Sequence, residues 1–373
     1  MTSTSRQWKG VVVVSDDQLP HVDHLLPLAH LLQLPCYFLS TGEWEKCQLI
    51  YPEVEMKLVD YRLFTAEYLI DQFDVLFVSQ FWAQNNPVFD LFEGLEQQKG
   101  RQVKKVYAPH GFSDKADCLV KCAEESFCLI YGQNMVDMIR EGAGRLPPHH
   151  ALVGNYRKAY YEKFQSHFDQ VARQAVGEHF AAKTRMTVLY APTWTTPEEA
   201  DSFFHSAEIL LETFPEEWNL IFKPHPRMES LPVNSQEEPS FLRYQQLMGQ
   251  FMQRENILFL ELFAPIYPLL QLVDLYVGDS SSVGYDFLAF DRPLYFLNRQ
   301  RLNVESDRRA QLFSCGRAIP PEEIVFFWER VRQTLEASSI GLAPERQRMY
   351  RYTFGEPLSL EETASRIEAM VEL

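Results

Sequence analysis

The 373-residue sequence lacks both familiar glycine-rich phosphate motifs. Neither GxGxxG nor GxxxxGK[ST] occurs, so a standard dinucleotide-binding or P-loop NTPase reading has no motif behind it. No apolar run approaches the ~18–20 residues of a membrane span. The start, MTSTSRQWKG, has no apolar core, so no secretory signal is expected. The six cysteines, Cys36, Cys47, Cys118, Cys122, Cys128 and Cys315, form no CxxC pair, which removes the usual zinc and redox spacings. Contexts such as PCYF and SFCLI make them small core residues of a reducing cytoplasm. Positive charge is also short: 35 Lys and Arg against 51 Asp and Glu leave a net charge of −16. That argues against nucleic acid as a partner and against strong attraction to anionic membranes, though a local cationic cluster remains compatible with it. No metal or cofactor motif is present. The pairs Asp16-Asp17 and Asp114/Asp117 have no ligand spacing, and His21, His24 and His30 read as solvated or capping residues.

What the chain does have is apolar sequence, 46% of its residues with 13% aromatic, enough for two domains of ordinary size. Short apolar runs alternate with helical patterns. In the first half the expected strands are 10–15, 36–39, 55–59, 74–79, 104–108, 127–131 and 151–154. In the second they are 187–190, 218–222, 257–260, 275–277 and 294–296. This alternation predicts parallel α/β sheets. The expected division is an N-terminal Rossmann-like domain over 1–157, a bridging helical segment over 158–185 and a second Rossmann-like domain over 186–340. Helices over 341–373 follow and cross back to the first. Two such halves facing each other would make a cleft lined by strand carboxyl ends, where ligands of open α/β sheets bind.

The candidate residues stand at those strand ends. VDLYVGDSSSVGYDFLAFDRPLYFL, residues 273–297, reads as strand, serine-rich loop, helix and strand. Ser280, Ser281 and Ser282 can each cap the helix, and a helix N-terminus with hydroxyls suits a phosphate. Asp286, further along that helix, is either a ribose-diol acceptor or a solvated carboxylate. His110, in YAPHGFSDK, lies between a proline and a glycine, with an imidazole of the right basicity to take a hydroxyl proton. His225, in LIFKPHPRM, lies with Lys223 and Arg227 in the densest cationic cluster of an acidic chain, suited to holding a phosphate. Thr193, in APTW, offers a hydrogen bond, and Trp194 beside it is either a site wall or interdomain packing. Arg157 reaches either a phosphate or a hinge salt bridge.

Taken in order, His110-Gly111, Ala191–Trp194, Lys223–Pro226 and the serine-rich helix start with Asp279 and Asp286, followed by Asp291-Arg292-Pro293, resemble the CDP-glycerol glycerophosphotransferases of teichoic-acid synthesis. The likeness runs from about Tyr107 to Leu297. It implies a GT-B-like α/β fold, two Rossmann-like domains facing across a cleft. It also implies two histidines needed for transfer, at His110 and His225, with Lys223, Ser280, Ser281, Ser282, Asp286, Thr193 and Arg157 around the nucleotide and phosphates.

The implied donor is a CDP-linked polyol. The implied acceptor is lipid-linked or a polymer at the inner face of the membrane, and no cofactor is implied. The resemblance implies a compact or a priming-type transferase, because chain-extending members often carry extra sequence in front of the matching module. Two positions depart from the pattern: Thr195 stands where the family has arginine, and Ser280 where it has tyrosine. Two other readings compete. One is a glycosyltransferase of the same architecture using a CMP- or UDP-sugar. The other is a degenerate nucleotide-binding or scaffold protein.

Overall fold

The computed structural model describes residues 8–14, 19–80, 91–112, 119–182, 184–193, 203–229 and 238–373. Its strands form two sheets that are parallel throughout. The chain divides into two compact units, Met1–Gly111 with Ala116–Phe164 and Thr353–Leu373, and Phe112–Lys115 with Gln165–Tyr352.

Unit 1 holds β1 (Gly10–Val14), β2 (Cys36–Phe38), β3 (Met56–Leu58), β4 (Val75–Val78), β5 (Lys104–Tyr107), β6 (Phe127–Ile130) and β7 (His149–Leu152). Their spatial order is β3-β2-β1-β4-β5-β6-β7. The Val11–Val14 run of β1 is buried on both faces, as expected of a central parallel strand covered by helices on each side. Burying each such side chain contributes about 1.5–3 kcal/mol before entropy is counted. The helix Leu19–Leu32 follows β1 and packs Val22, Leu25, Leu26, Leu28 and Leu32 into the core. The C-terminal helix Leu360–Glu372 starts in a Ser359–Glu362 capping box and packs on β7 and on the Leu19–Leu32 helix.

Unit 2 holds β8 (Thr187–Ala191), β9 (Asn219–Phe222), β10 (Ile257–Phe259), β11 (Leu275–Gly278), β12 (Leu294–Leu297) and β13 (Arg317–Ile319), ordered β10-β9-β8-β11-β12-β13. Both sheets thus run outward from their first strand and then reverse, the doubly wound order of Rossmann-like domains. The reversal falls between β1 and β4 in unit 1 and between β8 and β11 in unit 2. The α/β fold class expected from sequence is therefore present in each unit.

One strand was not anticipated, and one expected helix buries more than its composition suggests. Strand β13 is only the tripeptide Arg317–Ile319, too short for a periodic signal. The helix Ala343–Phe354 (APERQRMYRYTF) is polar along its length, yet it buries Met349 and the whole of Arg346. The bridging segment expected over 158–185 is two helices, Tyr156–Lys163 in unit 1 and Gln165–Ala181 in unit 2. Cys36, Cys47, Cys122, Cys128 and Cys315 are free and buried, and burial pushes the Cys47 and Cys315 thiols up to about 12. Cys118 lies outside the described residues. Among the described residues no helix is long and apolar enough to cross a membrane.

Candidate active site

In unit 2 the candidate residues gather at the carboxyl ends of β9, β8 and β11, which are neighbours in the sheet. Lys223 and His225 follow β9. The Lys223 amide donates to the Tyr190 carbonyl at 2.9 Å, continuing the sheet one residue beyond the strand. His225 is half-buried and opens the short turn of helix Pro226–Glu229, with its Nδ1 facing the Arg227 amide at 3.3 Å and its carbonyl accepting from Met228 at 2.8 Å. Thr193 follows β8 and is buried; its amide reaches the Asp279 carboxylate, which follows β11. This bond spans the two strands on either side of the order reversal, where open α/β sheets receive their ligands.

The serine loop resolves one question left by sequence. Ser281 is the cap: its Oγ accepts from the Val283 amide at 3.4 Å, at the start of helix Ser282–Phe287. Ser280 points elsewhere and donates to the Arg309 carbonyl at 2.9 Å. Ser282 is half-buried at the first helical position. Gly278 is required by space rather than by torsion, because a Cβ there would collide with the Tyr276 hydroxyl.

Asp286 is not on a solvated face. It is buried, and its Oδ1 accepts from the Tyr267 hydroxyl at 2.7 Å. The triplet Asp291-Arg292-Pro293 has structural work. Arg292 Nη1 donates to the Gln271 carbonyl at 3.0 Å and to that of Leu270 at 3.3 Å, closing the end of helix Ile266–Leu272. Asp291 accepts from the buried Arg346 at 2.6 Å.

In unit 1, His110 follows β5 and is exposed, its ring stacked on His21 with centroids 4.3 Å apart and planes 30° off parallel. Beneath it lies a polar chain that the sequence reading missed. His21 and His24, expected in solvent or at a cap, are both buried, because the Leu19–Leu32 helix turns that face inward. His24 Nδ1 lies 2.8 Å from the Tyr131 hydroxyl and its Nε2 2.7 Å from Arg157 Nη1. Arg157 Nη1 also contacts Asp23 Oδ2 at 3.4 Å, and Tyr51 donates to Asp23 Oδ1 at 3.1 Å. Burial first, and then the neighbouring Arg157 charge, hold the His24 pKa well below its usual 6.5. Arg157 is itself 6% exposed and engaged within unit 1. The third histidine, His30, is half-buried and lies 2.9 Å from Lys163 Nζ, with its Nδ1 3.0 Å from the Glu53 carbonyl. Among the described residues no group of His, Cys, Asp and Glu is arranged to hold a metal ion. Trp194, Thr195 and the pairs Asp16-Asp17 and Asp114/Asp117 lie outside the described residues.

Residues 162–320 match the family model described as CDP-glycerol:poly(glycerophosphate) glycerophosphotransferase. No curated protein matches the sequence with significance. Among solved structures, the wall teichoic acid polymerase TagF is similar at a TM-score of 0.64 and 11% identity, over 97% of this chain and 88% of that one. HepE of Anabaena, solved with UDP-glucose, is similar at a TM-score of 0.55 and 12% identity, over 98% of this chain and 100% of that one. UDP-GlcNAc 2-epimerase from Neisseria meningitidis is similar at 0.54 and 10% identity, over 98% and 99% of the two chains. At such identities the likeness is one of fold, and that fold is GT-B-like.

Proposed function

We propose, from the premise that residues 162–320 are a CDP-glycerol:poly(glycerophosphate) glycerophosphotransferase-family domain and the chain a transferase of that kind, that it moves glycerol phosphate from CDP-glycerol to an acceptor hydroxyl in teichoic-acid synthesis. TagF, whose fold it shares, is a teichoic acid polymerase and was solved as a variant soaked with CDPG. The acceptor is lipid-linked or polymeric, which places the work at the inner surface of the membrane.

The observation that supports this reading most is the gathering in unit 2. A lysine and a histidine, a threonine and a capped serine turn stand at the ends of adjacent parallel strands, on both sides of the order reversal. Cationic side chains and hydroxyls there suit a diphosphate. In the reaction, the acceptor oxygen attacks the β-phosphorus of the donor. A new P–O bond forms, the bond from that phosphorus to the bridging oxygen breaks, and its electron pair leaves with CMP. His110 takes the acceptor proton. Lys223 and His225 offset the charge that grows on CMP. Thr193, Ser281 and Ser282 position the phosphates. Ser280, Asp286 and Arg157 act through their neighbours by holding these groups in place.

The test is His110→Ala, assayed by CMP release with a glycerol-phosphate acceptor and by calorimetric binding of CDP-glycerol. Turnover is expected to vanish while binding persists. Near-normal turnover would remove His110 as the base. A parallel thermal-shift panel of CDP-glycerol, CDP-ribitol, CMP, UDP and UDP-glucose tests the donor. Stabilisation by the uridine compounds alone would make the protein a sugar transferase, and none at all a scaffold.

A further inference from the structure

The polar chain under His110 has a proton arrangement that the chemistry of its members dictates. Arg157 carries only donors, so His24 Nε2, 2.7 Å from Arg157 Nη1, must accept. A neutral imidazole then keeps its proton on Nδ1, which donates to the Tyr131 oxygen 2.8 Å away. The single hydroxyl proton of Tyr131 goes to the Pro109 carbonyl at 2.6 Å. Its remaining lone pair receives the Gly111 amide at 3.1 Å. These three contacts of that hydroxyl are thereby satisfied in one arrangement. Its two backbone partners are the residues immediately before and after His110. Gly111 adds a φ of 126°, a conformation open to glycine and strained for other residues.

We infer that Tyr131 is the positioning residue of His110, gripping the main chain on both sides of it, and that His24 and Arg157 set the direction of that grip. The inference rests on the proposed role of His110. The hydroxyl touches no reacting atom. It removes freedom from the loop that carries the base, and a misplacement of about 1 Å at a reacting group costs on the order of a hundredfold in rate. Arg157 serves the same end: its guanidinium is spent on His24 and Asp23, which makes it the fixed donor from which the chain takes its direction.

Two measurements on the full-length chain test this. The first needs no substrate. Nitrogen-15 NMR of histidine-labelled protein is expected to show His24 protonated on Nδ1 and bare on Nε2. In Tyr131→Phe, the His110 resonances are expected to shift and broaden as its loop samples more than one orientation. A His24 proton on Nε2, or His110 resonances unchanged in Tyr131→Phe, would overturn the inference whatever the enzyme transfers. The second is kinetic. Tyr131→Phe is expected to lower kcat by about ten- to a hundredfold with KM for the donor unchanged. His24→Asn, which keeps a donor near the Nδ1 position, is expected to retain more activity than His24→Ala. A Tyr131→Phe enzyme with wild-type kcat would also overturn the inference. A wild-type protein inert towards every CDP-linked donor would instead count against the proposed function, while the NMR result would still decide the clamp.

Discussion

The Thr193 amide donates to the Asp279 carboxylate, at 3.2 Å to Oδ1 and 3.4 Å to Oδ2. The two residues follow β8 and β11, so the contact ties together the strand ends that flank the order reversal of the second sheet. Both are buried. Asp279 also stands near the Tyr276 hydroxyl, and burial together with that carboxylate drives the tyrosine pKa far above its usual 10. The carboxylate is therefore a brace for the turns that follow β8 and β11.

Replacing it tests the brace. Asp279→Ala leaves a buried amide without its partner, and unfolding free energy is expected to fall by about 1–3 kcal/mol. Urea denaturation measures that loss, and calorimetry with CDP-glycerol measures the weaker binding expected from a loosened Thr193 turn. Unchanged values in both would show that the turn is held by other contacts.

Acid should destabilise the first unit through His24. Its folded pKa lies well below 6.5, whereas in the unfolded chain it titrates near 6.5. Below that value the unfolded state binds the additional proton. Stability is therefore full above about pH 6.5 and is lost as pH falls towards the folded pKa, at up to about 1.4 kcal/mol per pH unit for this one group. His21, His110, Arg157, Asp23 and Tyr131 face or adjoin it; the first three lower its pKa, and the Asp23 carboxylate is engaged by Arg157 and Tyr51. Thermal midpoints from pH 7.5 to 5 should decline more steeply for the wild type than for His24→Asn. Parallel curves would mean that another group governs the acid limb.

A third expectation concerns the end of unit 2. Arg346 is fully buried. Its Nε donates to Asp291 at 2.6 Å, while Nη1 and Nη2 donate to the Ser338 and Ser339 carbonyls at 2.9 and 2.6 Å near the end of the preceding helix. Arg346→Ala removes these bonds and opens a cavity, so a loss of about 3 kcal/mol is expected. Chemical denaturation followed by tryptophan fluorescence reads it. A loss below about 0.5 kcal/mol, the scale of a surface substitution, would mean that the pair contributes little.

Much of this architecture was legible in one dimension. GVVVV, VLFV, TVLYA and NLIF are buried along their length, as strands of a parallel sheet covered on both sides are, and their alternation with helical patterns points to such a sheet. The strand-end positions of His225 after NLIF, Ser280–Ser282 after LYVG and His110 after KKVY followed from runs of this length. What escaped was burial of polar groups. His21 and His24 read as ordinary polar positions on a helix until a partner is known, and their partners come from segments far along the chain: His110, Tyr131 and Arg157. Asp286 was left between two roles for the same reason, since Tyr267 lies on a separate helix. Arg346 was hidden in a polar helix whose charge is buried only because Asp291 and two helix-end carbonyls receive it.

The amino-acid order by itself determined the alternation of strands and helices behind two parallel sheets and which side chains stand at the strands' carboxyl ends, because local periodicity and strand-length apolar runs are properties of neighbouring residues. Only the tertiary structure decided which of those side chains face solvent and which are struts. That choice rests on hydrogen bonds between residues far apart in the chain. Burying a charge or a hydroxyl is tolerable only where such a bond receives it.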